Sequence, residues 1–311
     1  MFTLKVKYIF AILFMSIIIV RCQKQEDDDE EIFNPQLDGE VIFEQGNLIK
    51  SAVISSLNQA VSHGNANSGS YPKWSNDGTK FAYILLDGDI DSTCFFLKIV
   101  DYISGNINEW KIGNSRFINI KSQLSWSPDD RTVIFLGKGV HQNTIIYLNT
   151  FTGDTIQSHF NLDRDNYCSA LAWNPIENKI AVNIQNWHYS SDNTIWMVEP
   201  FENIPVRQFP IGTNMMLGIE HMDWNSIGTK LTYSFDAYGD LFIVNADGTD
   251  NKEIPEISGI SPCWSNDGNY IMFTGSSGLD GSTIIPGIFV TDANGSFKKL
   301  LLKYGKHADW Y

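Results

Sequence analysis

Apolar and polar residues alternate at a fixed distance after a tryptophan, and the pattern recurs five times along the chain. Seven and nine residues past the Trp stand Phe81 and Tyr83, Val133 and Phe135, Ile180 and Val182, Leu231 and Tyr233, and Ile271 and Phe273. A period of two at a constant offset predicts a strand with one buried face. A second apolar run follows in each unit, at 95–100, 145–148, 195–198, 241–244 and 288–290. Turn pairs come next, as in Ser104-Gly105, Thr152-Gly153, Asp247-Gly248 and Asn294-Gly295, where glycine supplies the positive φ of a hairpin. A weaker fourth segment, such as 107–112 or 298–302, ends the unit. Each unit therefore predicts four short antiparallel strands.

The leading residues Trp74, Trp126, Trp173, Trp224, Trp264 and Trp310 are separated by 52, 47, 51, 40 and 46 residues. A period near 40–50 with several strands per unit is the signature of a propeller blade. Trp74–Tyr83 and Trp264–Phe273 are nearly the same decapeptide around Asn-Asp-Gly. Trp126–Phe135 is close to them, and the copies at Trp173 and Trp224 are worn. This repeat resembles the Trp-Ser-Pro-Asp-Gly repeat of TolB-type, WD40-like β-propellers, over about residues 40–311. The two ends complement each other. Strands predicted at Val41–Phe43, Leu48–Ile54 and Leu57–Val61 lack a Trp segment, and 306–311 is a Trp segment with nothing after it. Joined, they make a sixth blade, which leaves no open edge at the seam. The expected fold is all-β: a six-bladed β-propeller of four-stranded antiparallel blades, closed by N-terminal strands plus a C-terminal strand.

Ahead of the propeller, Lys5 and Lys7 precede an apolar run from Tyr8 to Val20, and Cys22 follows. The run is short for a membrane span, which needs about 20 residues, and fits a secretory signal. A Cys directly after such a run resembles the lipobox of bacterial lipoproteins, which implies lipidation at Cys22. Arg21 departs from the small residue usual before that Cys, so an uncleaved N-terminal anchor is the alternative. Six acids between Glu26 and Glu31 predict a solvated, self-repelling tether. The run also resembles the acidic signal that sends some Gram-negative lipoproteins to the cell surface. The expected domains are a signal peptide at 1–21, an acidic tether at 22–39 and a propeller at 40–311. The expected location is the bacterial outer membrane, lipid-anchored, facing either the periplasm or the outside.

With 43% hydrophobic and 13% aromatic residues the chain can fill a large core, and its net charge of −14 disfavours nucleic acid and anionic membrane surfaces. Membrane attachment is expected through the N-terminal lipid alone, on a monomeric propeller. Cys94, Cys168 and Cys263 are widely spaced and odd in number, which predicts buried thiols rather than a disulfide framework. No Gly-x-Ser-x-Gly, His-Glu-x-x-His or Gly-Lys-Ser/Thr motif occurs. No catalytic residue and no cofactor are expected.

The blades differ in what precedes each Trp. Three before it stand Tyr71, Gln123, Ala170, His221, Ser261 and His307, and one before it stand Lys73, Ser125, Ala172, Asp223, Cys263 and Asp309. In propellers of the resembled type the Trp strand lines the central channel, which makes Tyr71, Gln123, His221, Asp223, His307 and Asp309 the candidate ligand-binding residues at one mouth. Three readings stand side by side: a metal site on His221, Cys263 and His307, a polar-ligand site, or structural groups satisfied by water and backbone, with Asp tying blade to blade. Off the repeat, Trp187-His188-Tyr189 is a candidate exposed aromatic loop. The acidic connection Leu85–Asp91 lacks the full spacing of a calcium loop. The expected function is that of a cell-envelope lipoprotein whose propeller binds a protein partner or a glycan without catalysis. The alternative is a propeller enzyme, a polysaccharide lyase or hydrolase, using His221, Asp223, His307 and Asp309.

Overall fold

The computed structural model describes residues 37–65, 71–87, 94–114, 123–137, 144–160, 162, 166–186, 194–202, 205–211, 218–235, 239–277 and 285–311. Cys22, the acidic run, the Trp187 loop and most of the Leu85–Asp91 connection lie outside the described residues.

The first strands are Glu40–Gln45 (β1), Leu48–Val53 (β2) and Val61–Asn65 (β3). The next blade holds Lys73–Trp74 (β4), Lys80–Asp87 (β5), Cys94–Asp101 (β6) and Ile107–Asn114 (β7). Ser125–Trp126 (β8), Thr132–Gly137 (β9), Thr144–Asn149 (β10) and Thr155–His159 (β11) form the third. The fourth is Asn166–Trp173 (β12), Ile180–Asn186 (β13), Thr194–Val198 (β14) and Pro205–Pro210 (β15). Ile219–Trp224 (β16), Lys230–Phe235 (β17), Asp240–Asn245 (β18) and Lys252–Ser258 (β19) form the fifth. Ile260–Trp264 (β20), Tyr270–Ser277 (β21), Ile285–Asp292 (β22) and Lys299–Lys303 (β23) form the sixth. The last strand, Gly305–Trp310 (β24), pairs antiparallel with β1, so the first sheet runs β24-β1-β2-β3. All six sheets are four-stranded, and the fold is a six-bladed propeller closed at the seam by both ends of residues 38–311.

The Trp strands are innermost, and each touches the next around a closed ring: β4, β8, β12, β16, β20, β24 and back to β4. Two expectations needed correction. The predicted strand at Leu57–Val61 is a 3-10 segment, Ile54–Gln59, with β3 beginning only at Val61. Ser56 breaks the chain there, its hydroxyl donating to the Val53 carbonyl at 3.4 Å. The second strands were expected to bury one face, yet β9 and β17 are buried at every position after their first. Each blade is sandwiched between two others, so both faces are covered. Alternation survives in third strands such as β6 and β18. The core accordingly lies between blades. Ala82 and Phe95 of the second blade meet Trp126 and Phe135 of the third, and Met197 of the fourth meets Trp224 and Tyr233 of the fifth.

Candidate functional site

The six residues before the tryptophans converge at the centre of the ring, and their chemistry decides how neighbouring blades are joined. Asp309 Oδ2 accepts the main-chain N–H of Trp74 at 2.7 Å, and Asp223 Oδ2 accepts that of Trp264 at 2.8 Å. Ser125 Oγ accepts the N–H of Trp173 at 2.8 Å. Each of these bonds links one blade to the next. Where the preceding blade offers no acceptor side chain, the indole takes over. Trp126 Nε1 donates to the Lys73 carbonyl at 3.0 Å, and Trp224 Nε1 donates to the Ala172 carbonyl at 3.1 Å.

Lys73 closes this arrangement across the channel. Its Nζ donates to Oδ1 of Asp223 and Oδ1 of Asp309, each at 2.6 Å, with little of any of the three side chains exposed. Burial opposes charge on Lys73, but the attraction of the two carboxylates and their hydrogen bonds outweigh it and hold the ammonium above its ordinary pKa. Burial raises the pKa of Asp223, Lys73 opposes the rise and Asp309 adds to it. Burial, then the charges of Asp309 and Asp223, push the Cys263 thiol well above its usual range and keep it protonated. A cavity of about 110 Å³ lies on the tryptophan side of this clasp.

The other side is the mouth formed by residues three before the Trp. Tyr71, Ser261 and His307 hold the same register in three adjacent blades, and all three sit in the left-handed region, at φ 39°, 55° and 49°. Non-glycine residues at such angles cost on the order of 1 kcal/mol each. Here the conformation turns the three side chains onto one another. Ser261 Oγ lies 2.9 Å from His307 Nδ1 and 3.4 Å from His221 Nδ1, and the Tyr71 ring packs on both imidazoles at 4.2 and 4.7 Å. Gln123 reaches across the channel, accepting from the Met222 N–H at 2.9 Å and donating to the Met222 carbonyl. Burial, then the charge of Lys306, pulls the His307 pKa down to about 3, so the ring is neutral at pH 7. The mouth encloses about 30 Å³, enough for a water or two and too little for a sugar ring.

The structure therefore brings all six candidate residues to the channel but into two groups. Asp223 and Asp309 form the clasp; Tyr71, Gln123, His221 and His307 form the mouth. His221 and His307 turn Nδ1 to a serine hydroxyl, and Cys263 sits among the acids. Among the described residues no group of three His, Cys, Asp or Glu is arranged to hold a metal ion. Sequence reasoning passed over Lys73 and Ser261. A lone cation in a register otherwise holding two acids was the available signal for the first. No local signal marks the second.

No protein-family model matches the sequence, and no curated protein matches it. Solved structures do resemble the fold. TolB from Acinetobacter baumannii superposes with a TM-score of 0.63 at 13% identity, over 88% of this chain and 66% of that one. A chain of a nidogen/laminin complex gives 0.60 at 9% identity over 87% and 97%. An oligogalacturonate lyase from Vibrio parahaemolyticus gives 0.52 at 16% over 81% and 73%. This chain spans about 66% of the length of the Acinetobacter TolB. No helix among the described residues is long and apolar enough to cross a membrane. By architecture and repeat, residues 38–311 have the TolB-like six-bladed β-propeller fold.

Proposed function

We propose that this protein is a cell-envelope lipoprotein, anchored through Cys22, whose propeller binds a protein partner or a glycan without chemistry of its own. The observation that carries the non-catalytic reading is the clasp. A general acid or base must reach a substrate proton. Every oxygen of Asp223 and Asp309 that forms a bond above does so with Lys73 or a Trp amide. The lyase or hydrolase alternative would need that pair for substrate, which argues against it although one structural neighbour is a lyase by name. The mouth supports binding. Three strained residues at one register are retained where Tyr71, His221 and His307 meet, and strain of this kind gathers at functional surfaces. A partner reads this mouth from outside, since the space within it is too small to admit one.

The test has two arms. Cross-linking in intact cells should recover one envelope partner from the wild type and much less from Tyr71→Ala. Turnover of a polysaccharide panel that is lost in Asp223→Asn, with no partner recovered, would reverse the assignment. For the anchor, Cys22→Ser should abolish incorporation of a labelled fatty acid and release the protein from the membrane fraction. Retained label would place the anchor elsewhere.

A further inference from the structure

The worn repeats carry information that the well-kept ones lack. In three blades the residue three past the Trp is Asp77, Asp129 or Asp267, and it holds the first turn together. Ser75, Ser127 and Ser265 donate to it at 2.7, 2.6 and 2.5 Å, and the N–H groups of Thr79, Arg131 and Asn269 bond the same carboxylates. In the fourth and fifth blades the position is Ile176 and Ile227, each 65% exposed. Their turns do not need an Asp. Asn174 Oδ1 accepts the N–H of Ile176 and of Glu177, and Asn225 Oδ1 accepts those of Thr229 and Lys230. The turn has passed its bonding to the Asn and left the third position open. Both blades fill it with an exposed isoleucine.

These isoleucines have company. In a blade of four consecutive antiparallel strands, the first and third turns share one edge, opposite the channel mouth of Tyr71. On the third turns of the second, third and fourth blades stand Ile103, Phe151 and Phe201, 89%, 64% and 46% exposed. The turns that carry these residues are tied from blade to blade, and Asn76 Nδ2 of the second blade donates to the Ser127 carbonyl of the third at 2.8 Å. Asn174 Nδ2 donates to the Gly228 carbonyl at 2.8 Å, and Phe201 stacks on Tyr147 of the third blade at 4.4 Å while its N–H donates to that hydroxyl. Among the described residues this edge also exposes Ile107, Ile156 and Val206, each near the start of an outer strand of the same three blades, and Val53 and Val61 at the corresponding connection of the first blade. Scattered exposed apolar residues need no explanation, but a grouped set of aromatic and branched side chains marks a contact surface.

Charge chooses the occupant. Around the patch, Asp129, Asp154, Glu177, Glu202, Asp247 and Asp250 stand exposed. The bases on these turns and at the strand starts after them are Lys80, which lies over the Phe151 ring, Arg131, Lys179, Arg207, Lys230 and Lys252. The acids still outnumber them once Asp77 and Asp101 of the second blade are added. With a whole-chain charge of −14, this edge repels an anionic lipid surface and a second copy of itself. We propose that the turn edge of the second to fifth blades docks a protein whose contact surface sets apolar side chains among lysines and arginines. This surface is separate from the channel mouth, and neither needs the other.

The test places a photo-cross-linking amino acid at Phe151, and separately at Phe201, in the full chain in intact cells. The expected result is one protein species trapped from both positions, through a peptide with Lys or Arg beside apolar residues. Ile176→Asp/Ile227→Asp, which installs the residue of the sister turns, should reduce the adduct about tenfold, the equivalent of 1.4 kcal/mol. Glu177→Lys/Glu202→Lys, a purely surface change, should reduce it as well and carries the test if the first variant folds poorly. Tyr71→Ala should leave it intact, so loss of the mouth partner and loss of this one are distinguishable. Adducts only with lipid or with the chain itself, no adduct, or an adduct that survives both variants would overturn the proposal.

Discussion

At the scale of single residues, the clasp concentrates the electrostatics of the molecule in three side chains. Removing one member of a buried ion group costs about 3–5 kcal/mol, because the partners stay buried and unpaired. Lys73→Met leaves Asp223 and Asp309 facing each other, so a loss of that size is expected in denaturant unfolding. The penalty belongs to the ionised carboxylates. The gap between variant and wild type should therefore narrow as the pH falls into the carboxylate range, and a gap independent of pH would mean that packing of the lysine stem is responsible. The raised Lys73 pKa lends stability that is present below the free lysine value and is lost only in strong alkali. His307 works the other way. Its folded value of about 3 lies below the free value of 6.5, so its contribution is complete above pH 6.5 and is lost as the pH falls toward 3. At full slope that is about 1.4 kcal/mol per pH unit. Around it stand His221, Tyr71, Ser261 and Lys306. Burial lowers His63 and adds to the acid loss, while protonation of Asp223 offsets part of it. Comparison of wild type with His307→Gln isolates the ring: the wild type should lose more stability between pH 6.5 and 4.5, and equal losses would remove His307 as the cause.

At the scale of elements, what was legible in the sequence was whatever repeats. The Trp register, the apolar offsets of seven and nine and the glycine turns each recur, and each became a strand or a turn of the blade. The 3-10 segment at Ile54–Gln59 occurs once, so no repeat could reveal it. The clasp was half legible: Lys73 and the two acids share a register, but that the lysine spans the channel depends on the ring's diameter, which no local pattern encodes. The left-handed backbone of Tyr71 and Ser261 had no signal, because neither is of a type enriched at such positions, and His307, which is, stands in the same register as residues that are not. The turns themselves make a sharp test. Gly78 and Gly105 have nearly the same φ, +68° and +70°, so alanine strains both backbones alike, by about 1 kcal/mol. A Cβ on Gly105 meets open space, whereas one on Gly78 runs into the ring of Tyr311. Gly105→Ala should lower the melting temperature modestly and Gly78→Ala clearly more. The excess should vanish in a Tyr311→Ala background, where equal costs are expected; if the excess persisted there, the collision would not be its source.

At the scale of the whole molecule, the ring has one joint that is not continuous in sequence, and much of its bonding converges there. β24 supplies the inner strand to a blade whose other three strands come from the opposite end of the domain. Glu40 and Tyr311 exchange main-chain hydrogen bonds at 2.7 and 2.8 Å, and Trp310 Nε1 donates to the Asp38 carbonyl at 2.9 Å. Lys306 pairs with the fully buried Glu44 at 3.0 Å. Asp309 serves the seam twice, through the Trp74 amide and through Lys73. Deleting His307–Tyr311 therefore removes more than a strand. It exposes the inner edge of β1, takes one carboxylate from the clasp and uncovers Ile42, which packs with Trp74 and Phe81. Blades that stack face to face on one another have no fallback packing when the ring opens, so the loss is expected to spread past the seam. Net stabilities of about 5–15 kcal/mol leave little margin against a change of that extent. The truncated chain should lose its cooperative thermal transition, and the far-side blade around Trp173 should gain hydrogen exchange along with the seam. A truncated protein that melted cooperatively at the wild-type temperature would show that the five internal blades close without β24.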